Sequence, residues 1–507
     1  MFIGLVLRVF IQAMDLVVLA YMLLYFAMNL GFVALSQVRI RRELGMEQVR
    51  PAAGAVRDNF LPTITLLVPA YNEEVTIIES LRSLLRLQYP SFEIVICNDG
   101  SKDRTMEVLR REFQFVRTEL EYDPHLRTQP IRSFYESRMA LPAGLRRLVL
   151  IDKENGGKAD ALNACINAAR GIYVTSMDAD SVLLPDALLR AVRPIVDDPT
   201  GVVAVGTQVG LTNGARIEDG RVVDVRTPSS WVARFQVVEY MRSFAQGRTA
   251  LGALDSLLIL SGVFALMRRD LLVSIGGFLT KEMKTRVGVE YCGDGAETVC
   301  EDMEVIVRLH RYLLDRKLPG RVVFLPTPTA WTEAPENLHD LGKQRARWYR
   351  GLLEVLSFHR SMILRPRFGR IGMFALPYQV LFEALAPVLE CLGYVLLVVT
   401  AVIGALDVRV AISFACLAAA INLCLSTLAV LLCAYSERGV EARTTGISLF
   451  PFTRLREVLL LMFVGLVSNF GYRQVLVAWQ LRGLWDYLRG RKTWDKFARK
   501  GFQPRPA

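Results

Sequence analysis

Hydrophobic and polar positions divide the chain into an apolar beginning, a mixed central region and an apolar final part. The first apolar run, Val17–Leu35, contains no charged residue and is long enough to cross a bilayer. Three arginines follow it at positions 39, 41 and 42, and positive charge marks the cytoplasmic side of a membrane helix. The pattern predicts a retained transmembrane helix at 1–38 with an external N-terminus, followed by a cytoplasmic linker at 39–60.

The central region, 61–370, has no run that is apolar enough to span a membrane. Short β-rich runs alternate there with helical patterns, which indicates a mostly parallel α/β sheet with ligands at the C-terminal ends of its strands. The segment 113–147 is polar and arginine-rich and reads as an irregular insertion. The predicted strands are Thr63–Val68, Glu93–Asn98, Tyr173–Asp178 and Val202–Gln208, and the predicted helices are Glu74–Leu87 and Lys158–Ala169.

After residue 370 the chain turns apolar again. Two runs of spanning length, Ala384–Ala405 and Val410–Ala434, predict a transmembrane hairpin. The last apolar stretch is interrupted by polar residues, and a single crossing there would leave the basic tail outside, against the positive-inside rule. We therefore expect a re-entrant or interfacial segment. The predicted divisions are an interfacial helix at 371–383, the hairpin at 384–434, a cytoplasmic or interfacial loop at 435–454, the re-entrant or interfacial segment at 455–481 and a basic cytoplasmic tail at 482–507.

Composition agrees with a membrane protein. Of the 507 residues, 52% are hydrophobic and 22% are charged, which excludes a disordered chain. The net charge of +11 fits cytoplasmic membrane flanks, and no arginine-rich arm or aromatic RNA-binding motif points to nucleic acid. The eight cysteines form no CxxC pair and the four histidines form no HExxH motif, so we expect reduced thiols and no cysteine/histidine zinc site.

Polar motifs follow the first two predicted strands. Val68-Pro-Ala-Tyr-Asn-Glu-Glu74 is a strand, a loop and the start of a helix, where polar groups and free N–H groups could receive a nucleotide. The next strand ends at Asp99, at the same edge of the sheet. Each motif alone is also typical of ordinary helix capping.

Two further motifs suit an anionic ligand and its metal. The Gly156-Gly157-Lys158 turn opens a helix but lacks the pattern of a Walker A loop. Asp178-Ala-Asp180 follows the third predicted strand, where two carboxylates can converge on Mg²⁺ or Mn²⁺. The alternatives are an exposed lysine at a tight turn and a solvated acidic loop.

The last motifs supply a carboxylate, an amide, a guanidinium and an indole. Cys300-Glu301-Asp302 opens a predicted helix, and a carboxylate there either caps the helix or serves as a general base. Gln344, Arg347 and Trp348 lie within about one helical turn of one another; arginine matches a diphosphate and tryptophan offers a face to a sugar ring. A basic interfacial helix with an aromatic anchor is the alternative.

Taken in order, these motifs resemble the membrane-embedded family-2 glycosyltransferases, which include cellulose, hyaluronan and poly-N-acetylglucosamine synthases. The resemblance implies a GT-A (Rossmann-like) cytosolic catalytic domain combined with α-helical transmembrane and interfacial segments. It also implies an inverting enzyme that transfers sugar from a UDP-sugar to a growing β-linked polysaccharide and secretes the polymer. The implied site comprises Ala70, Tyr71, Glu73 and Asp99 for uridine, Lys158 and Asp178 near the diphosphate, Asp180 with Asp178 for Mg²⁺ or Mn²⁺, Asp302 as base beside Glu301, and Gln344, Arg347 and Trp348 of a QXXRW motif for the acceptor and diphosphate.

Two positions depart from the family pattern. Cys300 replaces the usual threonine and puts the orientation of Asp302 in question, and Ser261-Gly-Val-Phe264 stands where cellulose synthases carry Phe-Phe-Cys-Gly. The form looks nearest to poly-N-acetylglucosamine synthases. The alternatives are a non-processive transferase with a lipid acceptor and an inactive sugar-nucleotide-binding subunit. The expected partners are a UDP-sugar, a glycan acceptor, the lipid bilayer and accessory secretion proteins, and no nucleic acid is expected. We expect a multi-pass protein of the inner (plasma) membrane with its catalytic domain in the cytoplasm.

Overall fold

The computed structural model describes residues 2–49, 61–282, 285–441 and 455–491. Its centre is a ten-stranded sheet with the order β3-β4-β5-β2-β1-β6-β11-β8-β12-β7, and a separate hairpin pairs β9 with β10. The strands are β1 (Ile64–Ala70), β2 (Phe92–Asp99), β3 (Phe115–Thr118), β4 (Ile131–Ser137), β5 (Leu145–Lys153), β6 (Tyr173–Ser176), β7 (Ser181–Leu183), β8 (Val202–Leu211), β9 (Ala215–Glu218), β10 (Arg221–Val225), β11 (Ala265–Arg268) and β12 (Arg321–Thr332).

All four predicted strands and both predicted helices are present, and the α/β fold is confirmed. The sheet is mixed, however, and not mostly parallel as predicted. Strands β5, β2, β1 and β6 run parallel, as do β8 and β12. Strand β11 enters between β6 and β8 in the opposite direction. Every residue of β2 and of β8 is buried, as expected for strands covered on both faces.

The segment 113–147 is not the irregular insertion that we expected. It forms β3, β4 and the start of β5, and these strands extend the main sheet through antiparallel pairing. Most residues of β3 and β4 are only partly buried. An exposed edge tolerates charged side chains, so a strand at this position carries arginines without the apolar alternation that identifies buried strands.

Helices pack on both the sheet and one another. The α-helices are α1 (Phe2–Val49), α2 (Ile77–Leu85), α3 (Thr105–Glu112), α4 (Lys158–Ala168), α5 (Ala187–Asp197), α6 (Trp231–Tyr240), α7 (Thr249–Ala253), α8 (Arg269–Ser274), α9 (Arg286–Cys292), α10 (Glu301–Asp315), α11 (Leu338–Phe358), α12 (Leu376–Tyr378), α13 (Ala386–Val402), α14 (Val408–Glu441), α15 (Leu455–Val467) and α16 (Tyr472–Leu488). Wider π-helical turns occur at Met241–Arg248, Ile371–Ala375 and Gln379–Ala384, and short 3₁₀ turns at Arg360–Met362 and Pro366–Phe368.

Three helical stretches in the described residues are long and apolar enough to cross a membrane: Ile11–Gly45, Ile371–Val402 and Val408–Tyr435. The second stretch includes the predicted interfacial helix at 371–383, which continues through its π-helical turns into α13. The first helix continues to Val49, so it includes the beginning of the predicted linker at 39–60. The rest of that linker, most of the predicted loop at 435–454 and the end of the tail at 482–507 lie outside the described residues.

The last apolar stretch forms the pair α15 and α16, bent by 58° at a short break. The polar residues that interrupt the pattern have partners at this break. Asn469 accepts a hydrogen bond from Asn422 Nδ2 at 2.8 Å, and the Arg473 guanidinium forms an ion pair with Glu390 of α13. A broken helix within a membrane is stable where neighbouring protein groups satisfy its polar atoms. Whether this pair crosses the bilayer or re-enters it stays a prediction.

Helix α1 is joined to the region beside the catalytic sheet by polar contacts. Asn29, the strongly polar residue of the first apolar run, accepts a hydrogen bond from Gln246 Nε2 at 3.0 Å, and Ser36 donates to the Gln246 carbonyl at 2.7 Å. These groups are buried. Their mutual hydrogen bonds therefore offset the cost of placing amides in an apolar environment.

Candidate active site

The site lies at the C-terminal edge of the parallel strands. Strand β1 ends at Ala70 beside Asn98 of β2, and β6 ends at Ser176, two residues before Asp178. This register brings the predicted nucleotide-binding residues to one edge of the sheet. All twelve predicted site residues line a single cavity: Ala70, Tyr71, Glu73, Asp99, Lys158, Asp178, Asp180, Glu301, Asp302, Gln344, Arg347 and Trp348.

Asp99 organises the glycine turn beside the cavity. Its Oδ1 accepts from Lys153 Nζ at 2.5 Å and from the Gly156 amide at 3.0 Å, while its Oδ2 accepts from the Gly157 amide at 2.8 Å and from Asn155 Nδ2 at 3.2 Å. A carboxylate has about four lone-pair positions, and these contacts use them. Asp99 thus positions the turn that opens α4, and its direct contact with uridine stays a prediction.

The side chain of Lys158 joins two of the predicted motifs. Its Nζ lies 2.7 Å from Asp178 Oδ1 and 2.8 Å from Glu301 Oε1. Burial opposes the charged amine, but the two carboxylates outweigh burial and raise the pKa of Lys158 above its ordinary value. Lys158 therefore stays charged and neutralises carboxylates at the position where the sequence predicts a diphosphate.

Asp178 and Asp180 present an oxygen donor set to the cavity. Asp180 is buried, and its Oδ1 accepts from the Ser181 hydroxyl at 3.2 Å, whereas Asp178 remains partly exposed. Oxygen-only ligands that leave coordination positions for water and phosphate fit Mg²⁺ or Mn²⁺. These residues therefore fit the divalent cation that the sequence predicts. Lys158 would compete with that cation for the Asp178 carboxylate.

Asp302 is oriented although Cys300 replaces the usual threonine. The Gly262 amide donates to Asp302 Oδ2 at 3.2 Å, and the Met303 amide donates to Oδ1 at 2.9 Å. Upstream, Glu354 of α11 accepts from the Thr298 hydroxyl at 2.8 Å and from the Val299 amide at 3.2 Å, which fixes the segment that leads into α10. Backbone and α11 contacts thus supply the orientation that Cys300 put in question.

The electrostatic surroundings of Asp302 suit a general base. Burial, followed by the charge of Glu301, raises the pKa of Asp302 to about 6, although Lys158 and Arg248 act in the opposite direction. A carboxylate with this pKa is largely ionised at neutral pH and is a stronger base than an exposed aspartate. Asp302 can therefore accept a proton from a hydroxyl in the cavity.

The QXXRW segment lies in the middle of α11. Between its functional residues, Arg345 forms an ion pair with Glu239 at 2.5 Å, and its guanidinium carbon lies 4.7 Å from the centre of a Trp348 ring. Glycines let α16 approach closely: a Cβ added at Gly342 would meet Trp479, and one at Gly483 would meet the backbone of residue 346. This packing holds α11 between the catalytic domain and the last helices.

The cavity extends from the sheet edge to the apolar helices α13 and α14 and has a volume of about 2310 Å³. Its catalytic end contains the motif residues described above. Its other end lies between α13 and α14, where Leu397, Thr400, Val410 and Phe414 contribute to the wall. The wall also contains polar and charged residues of the apolar helices, among them Glu390, Arg473 and Asn422.

Sequence reasoning missed two features of this region. Arg248 lines the cavity near Asp302 but belongs to no motif. Lys153 is fully buried between Asp99 and Asp160, at 2.5 and 2.6 Å, and a single lysine at a strand end gives no signal in the sequence. Both depend on contacts between distant parts of the chain, which periodicity does not reveal.

A second cluster joins the partly buried Cys292 to the buried Glu304 and His359, and the nearest ligand atoms of the three residues lie 3.3 to 4.0 Å apart. These separations would suit a metal, although the sequence predicted no cysteine/histidine zinc site. Arg308, however, already donates to both oxygens of Glu304, each at 2.8 Å. Burial acts to raise the pKa of Glu304, but Arg308 and the neighbouring His359 outweigh burial and lower this pKa to about 2. We interpret the cluster as a structural ion pair that fastens α10 to the end of α11.

Comparisons with known proteins agree with the motifs. The family model described as "Glycosyl transferase family 2" matches residues 65–136, and the model described as "Glycosyltransferase like family 2" matches residues 131–351. The chain is 28% identical over 337 residues to a poly-beta-1,6-N-acetyl-D-glucosamine synthase of Staphylococcus aureus (strain COL), covering 65% of this chain and 62% of that protein. A synthase of the same name from Staphylococcus epidermidis is 27% identical over 301 residues, covering 58% of this chain and 55% of that one. The chain thus spans less than two thirds of the length of these curated relatives.

Solved structures show weaker similarity. The mannosyltransferase PcManGT from Pyrobaculum calidifontis, in complex with GDP-Man and Mn²⁺, is 17% identical, with a TM-score of 0.45 over 92% of this chain and 99% of that chain. S. aureus TarS 1–349 in complex with UDP-GlcNAc is 15% identical, with a TM-score of 0.36 over 81% of this chain and 92% of that chain.

Proposed function

Because the chain belongs to the family-2 glycosyltransferases and its sheet domain has the GT-A fold, we propose that it builds a β-linked polysaccharide from a UDP-sugar. We further propose that it inverts the anomeric centre and releases the polymer through its own membrane helices. The observation that carries this proposal is the single cavity, because the nucleotide end, Asp302, the QXXRW residues and the membrane helices all contribute to its wall. A chain growing at Asp302 would have a continuous path towards α13 and α14.

The residues on the donor side would bind UDP and prepare it to leave. Tyr71 and Glu73 line the cavity and would contact uridine, and Arg347 would bind the diphosphate through two parallel hydrogen bonds. Asp178 and Asp180 would hold Mg²⁺ or Mn²⁺, which would offset the negative charge on the departing UDP. Lys158 contributes a further fixed positive charge beside Asp178.

On the acceptor side, Asp302 would take the proton of the attacking hydroxyl. The acceptor oxygen then bonds to the anomeric carbon while the bond from that carbon to the UDP oxygen breaks. Attack from the face opposite UDP inverts the anomeric configuration. Trp348 offers an apolar ring face on which the acceptor sugar can stack, as its position in the cavity wall allows.

In the cell we place the catalytic domain in the cytoplasm, where UDP-sugars are made, with the apolar helices in the inner (plasma) membrane. Three candidate spans and the bent pair α15 and α16 support a multi-pass arrangement. The basic residues after the first apolar run support its orientation. Accessory secretion proteins are additional candidate partners.

The test is a donor panel on purified full-length protein in lipid nanodiscs with Mg²⁺ or Mn²⁺. Radiolabelled UDP-N-acetylglucosamine is the first donor, because the relatives are named poly-N-acetylglucosamine synthases; UDP-glucose, UDP-galactose and UDP-glucuronic acid follow. We expect a water-soluble product of many sugars that is absent with the Asp302→Asn variant. A labelled product that extracts into organic solvent would favour the lipid-acceptor alternative, and no product from any donor would contradict the proposal.

A further inference from the structure

Arg248 occupies an unusual position in the cavity wall. It is the last residue of the π-helical turn Met241–Arg248, several residues of which line the cavity. Its guanidinium carbon lies 4.1 Å from the centre of the Phe244 ring, so the planar group is held against an aromatic face. π-helical turns cost stability and occur frequently at functional sites.

The hydrogen-bonding capacity of Arg248 is incompletely used. Within the described part of the chain, its Nη1 atom is buried and has no hydrogen-bond partner. Three other arginines of the same cavity have a side-chain partner for their terminal nitrogens: Arg345 with Glu239, Arg473 with Glu390, and Arg242 with Asn422, although the Nε atom of Arg345 is also buried without a partner among the described residues. A buried donor without an acceptor is costly, and Arg248 is a wall residue of the cavity, so this unused donor indicates a ligand that supplies the acceptor.

Among the charged groups around Arg248, the proposed base Asp302 has the strongest electrostatic effect on it. Asp302 is the main group that favours the charged form of Arg248, and burial lowers the pKa of the guanidinium to about 10, so it remains charged at neutral pH. The space beside Asp302 is kept open by Gly262, where an added Cβ would lie 3.0 Å from Lys158 Nζ and 3.7 Å from Asp302 Oδ2. A small polar group can therefore lie beside Asp302, in the cavity that Arg248 also lines.

We propose that Arg248 binds the acceptor hydroxyl, donating a hydrogen bond from Nη1 to the oxygen whose proton passes to Asp302. This inference rests on the proposed transfer reaction and adds a binding residue to it. A hydroxyl that donates to Asp302 and accepts from Arg248 has its remaining lone pair directed away from both, available for the anomeric carbon. The proton moves to the Asp302 carboxylate, the new carbon–oxygen bond forms, and UDP carries away the electrons of the broken bond.

The test uses Arg248→Met, Arg248→Lys and Arg248→Ala in the full-length protein in nanodiscs, with UDP-N-acetylglucosamine and a β-1,6-linked N-acetylglucosamine oligosaccharide. We expect Arg248→Met to raise the acceptor KM about 10- to 100-fold, the usual worth of one charged hydrogen bond. UDP affinity should stay within about twofold. Arg248→Lys should recover part of the loss, and added guanidinium should partly rescue Arg248→Ala.

A matched control is Arg311→Met, because Arg311 is also held over an aromatic ring, 4.0 Å from the centre of Tyr291, but does not line the cavity. Its acceptor KM should match that of the wild type. An unchanged acceptor KM in a folded Arg248→Met variant would overturn the inference while leaving the proposed function intact. If the Arg248 variants instead had a lower melting temperature and weaker UDP binding, and added guanidinium did not rescue Arg248→Ala, the inference would be overturned in favour of a structural role. A wild-type protein that is inactive with every donor would overturn both proposals.

Discussion

The pH dependence of sugar transfer should follow the ionisation of Asp302. Its pKa is raised to about 6 by burial and by Glu301. A general base works only when it is deprotonated, so activity should be lost as the pH falls through 6. With this pKa, about nine-tenths of the protein carries an ionised Asp302 at pH 7 and about one-tenth at pH 5, so kcat/KM should fall about tenfold between them.

The Asp302→Asn variant removes the proton acceptor while keeping the size of the side chain. General base catalysis typically contributes a factor of about 10²–10⁴, and transfer should slow by that amount. UDP affinity should change little, because Asp302 is oriented by Gly262 and Met303 and not by the nucleotide end of the cavity. The residual rate should also lose its dependence on a group with a pKa near 6.

The assay measures turnover from pH 4.5 to 8.5, UDP binding and melting temperature on the same preparations. Asp270→Asn is the matched control, because Asp270 also lies in the first turn of a helix, but its partner is Arg268 and it does not line the cavity. If Asp302 only caps α10, its variant should lose up to about 2 kcal/mol of stability with normal turnover. Normal turnover, or an acid limb that persists unchanged in the variant, would refute the assignment.

Four other changes probe separate parts of the structure. Trp348→Ala should shorten the polymer while UDP binding persists, whereas Trp485→Ala, at an exposed indole, should not; equal product lengths would contradict stacking on α11. Asp180→Asn should raise the Mg²⁺ or Mn²⁺ concentration needed for transfer, and wild-type activity in excess chelator would remove the metal from the reaction. Glu304→Gln should lower the free energy of unfolding by about 3–5 kcal/mol because it leaves a buried arginine unpaired. Since the pKa of Glu304 is lowered to about 2, its contribution to wild-type stability should be complete above pH 4.5 and be lost as the pH falls towards 2. Melting temperatures measured over this pH range test the prediction. A reporter that fluoresces only in the cytoplasm should be bright after Ala507, and a dark fusion with intact expression would mean that α15 and α16 cross the membrane.

Much of the catalytic domain could be predicted from the sequence because its buried strands consist of continuous apolar runs. The edge strand β3 and its neighbour β4 could not, since partly exposed positions accept charged residues and remove the periodic signal. The antiparallel insertion of β11 was missed for a different reason: a four-residue strand carries no record of its direction. Strand existence is thus readable where burial is complete, while direction and order depend on distant pairing.

The candidate site was predictable to the extent that its residues follow strands or lie in ordered motifs. The roles of Asp99 and Lys158 were less predictable, because each has a partner more than fifty residues away in the sequence: Gly157 for Asp99 and Glu301 for Lys158. Arg248 gives no motif signal at all. The pairing of Glu390 with Arg473 also could not be predicted, because a charge in an apolar run indicates a cost but not the group that offsets it.

Helix α11 has a mechanical consequence. Its 21 residues form a rod about 32 Å long, with Trp348, the proposed stacking surface for the acceptor, near its middle and Glu354 less than two turns further on. Glu354 accepts hydrogen bonds from the segment that leads to Asp302, while the N-terminal half of α11 packs closely against α16 at Gly342 and Gly483. A rigid rod transmits displacement along its whole length. If movement of the acceptor tilts α11, the segment that leads to Asp302 would therefore move as well. Advance of the polymer and the orientation of the proposed base would then be coupled through this one helix.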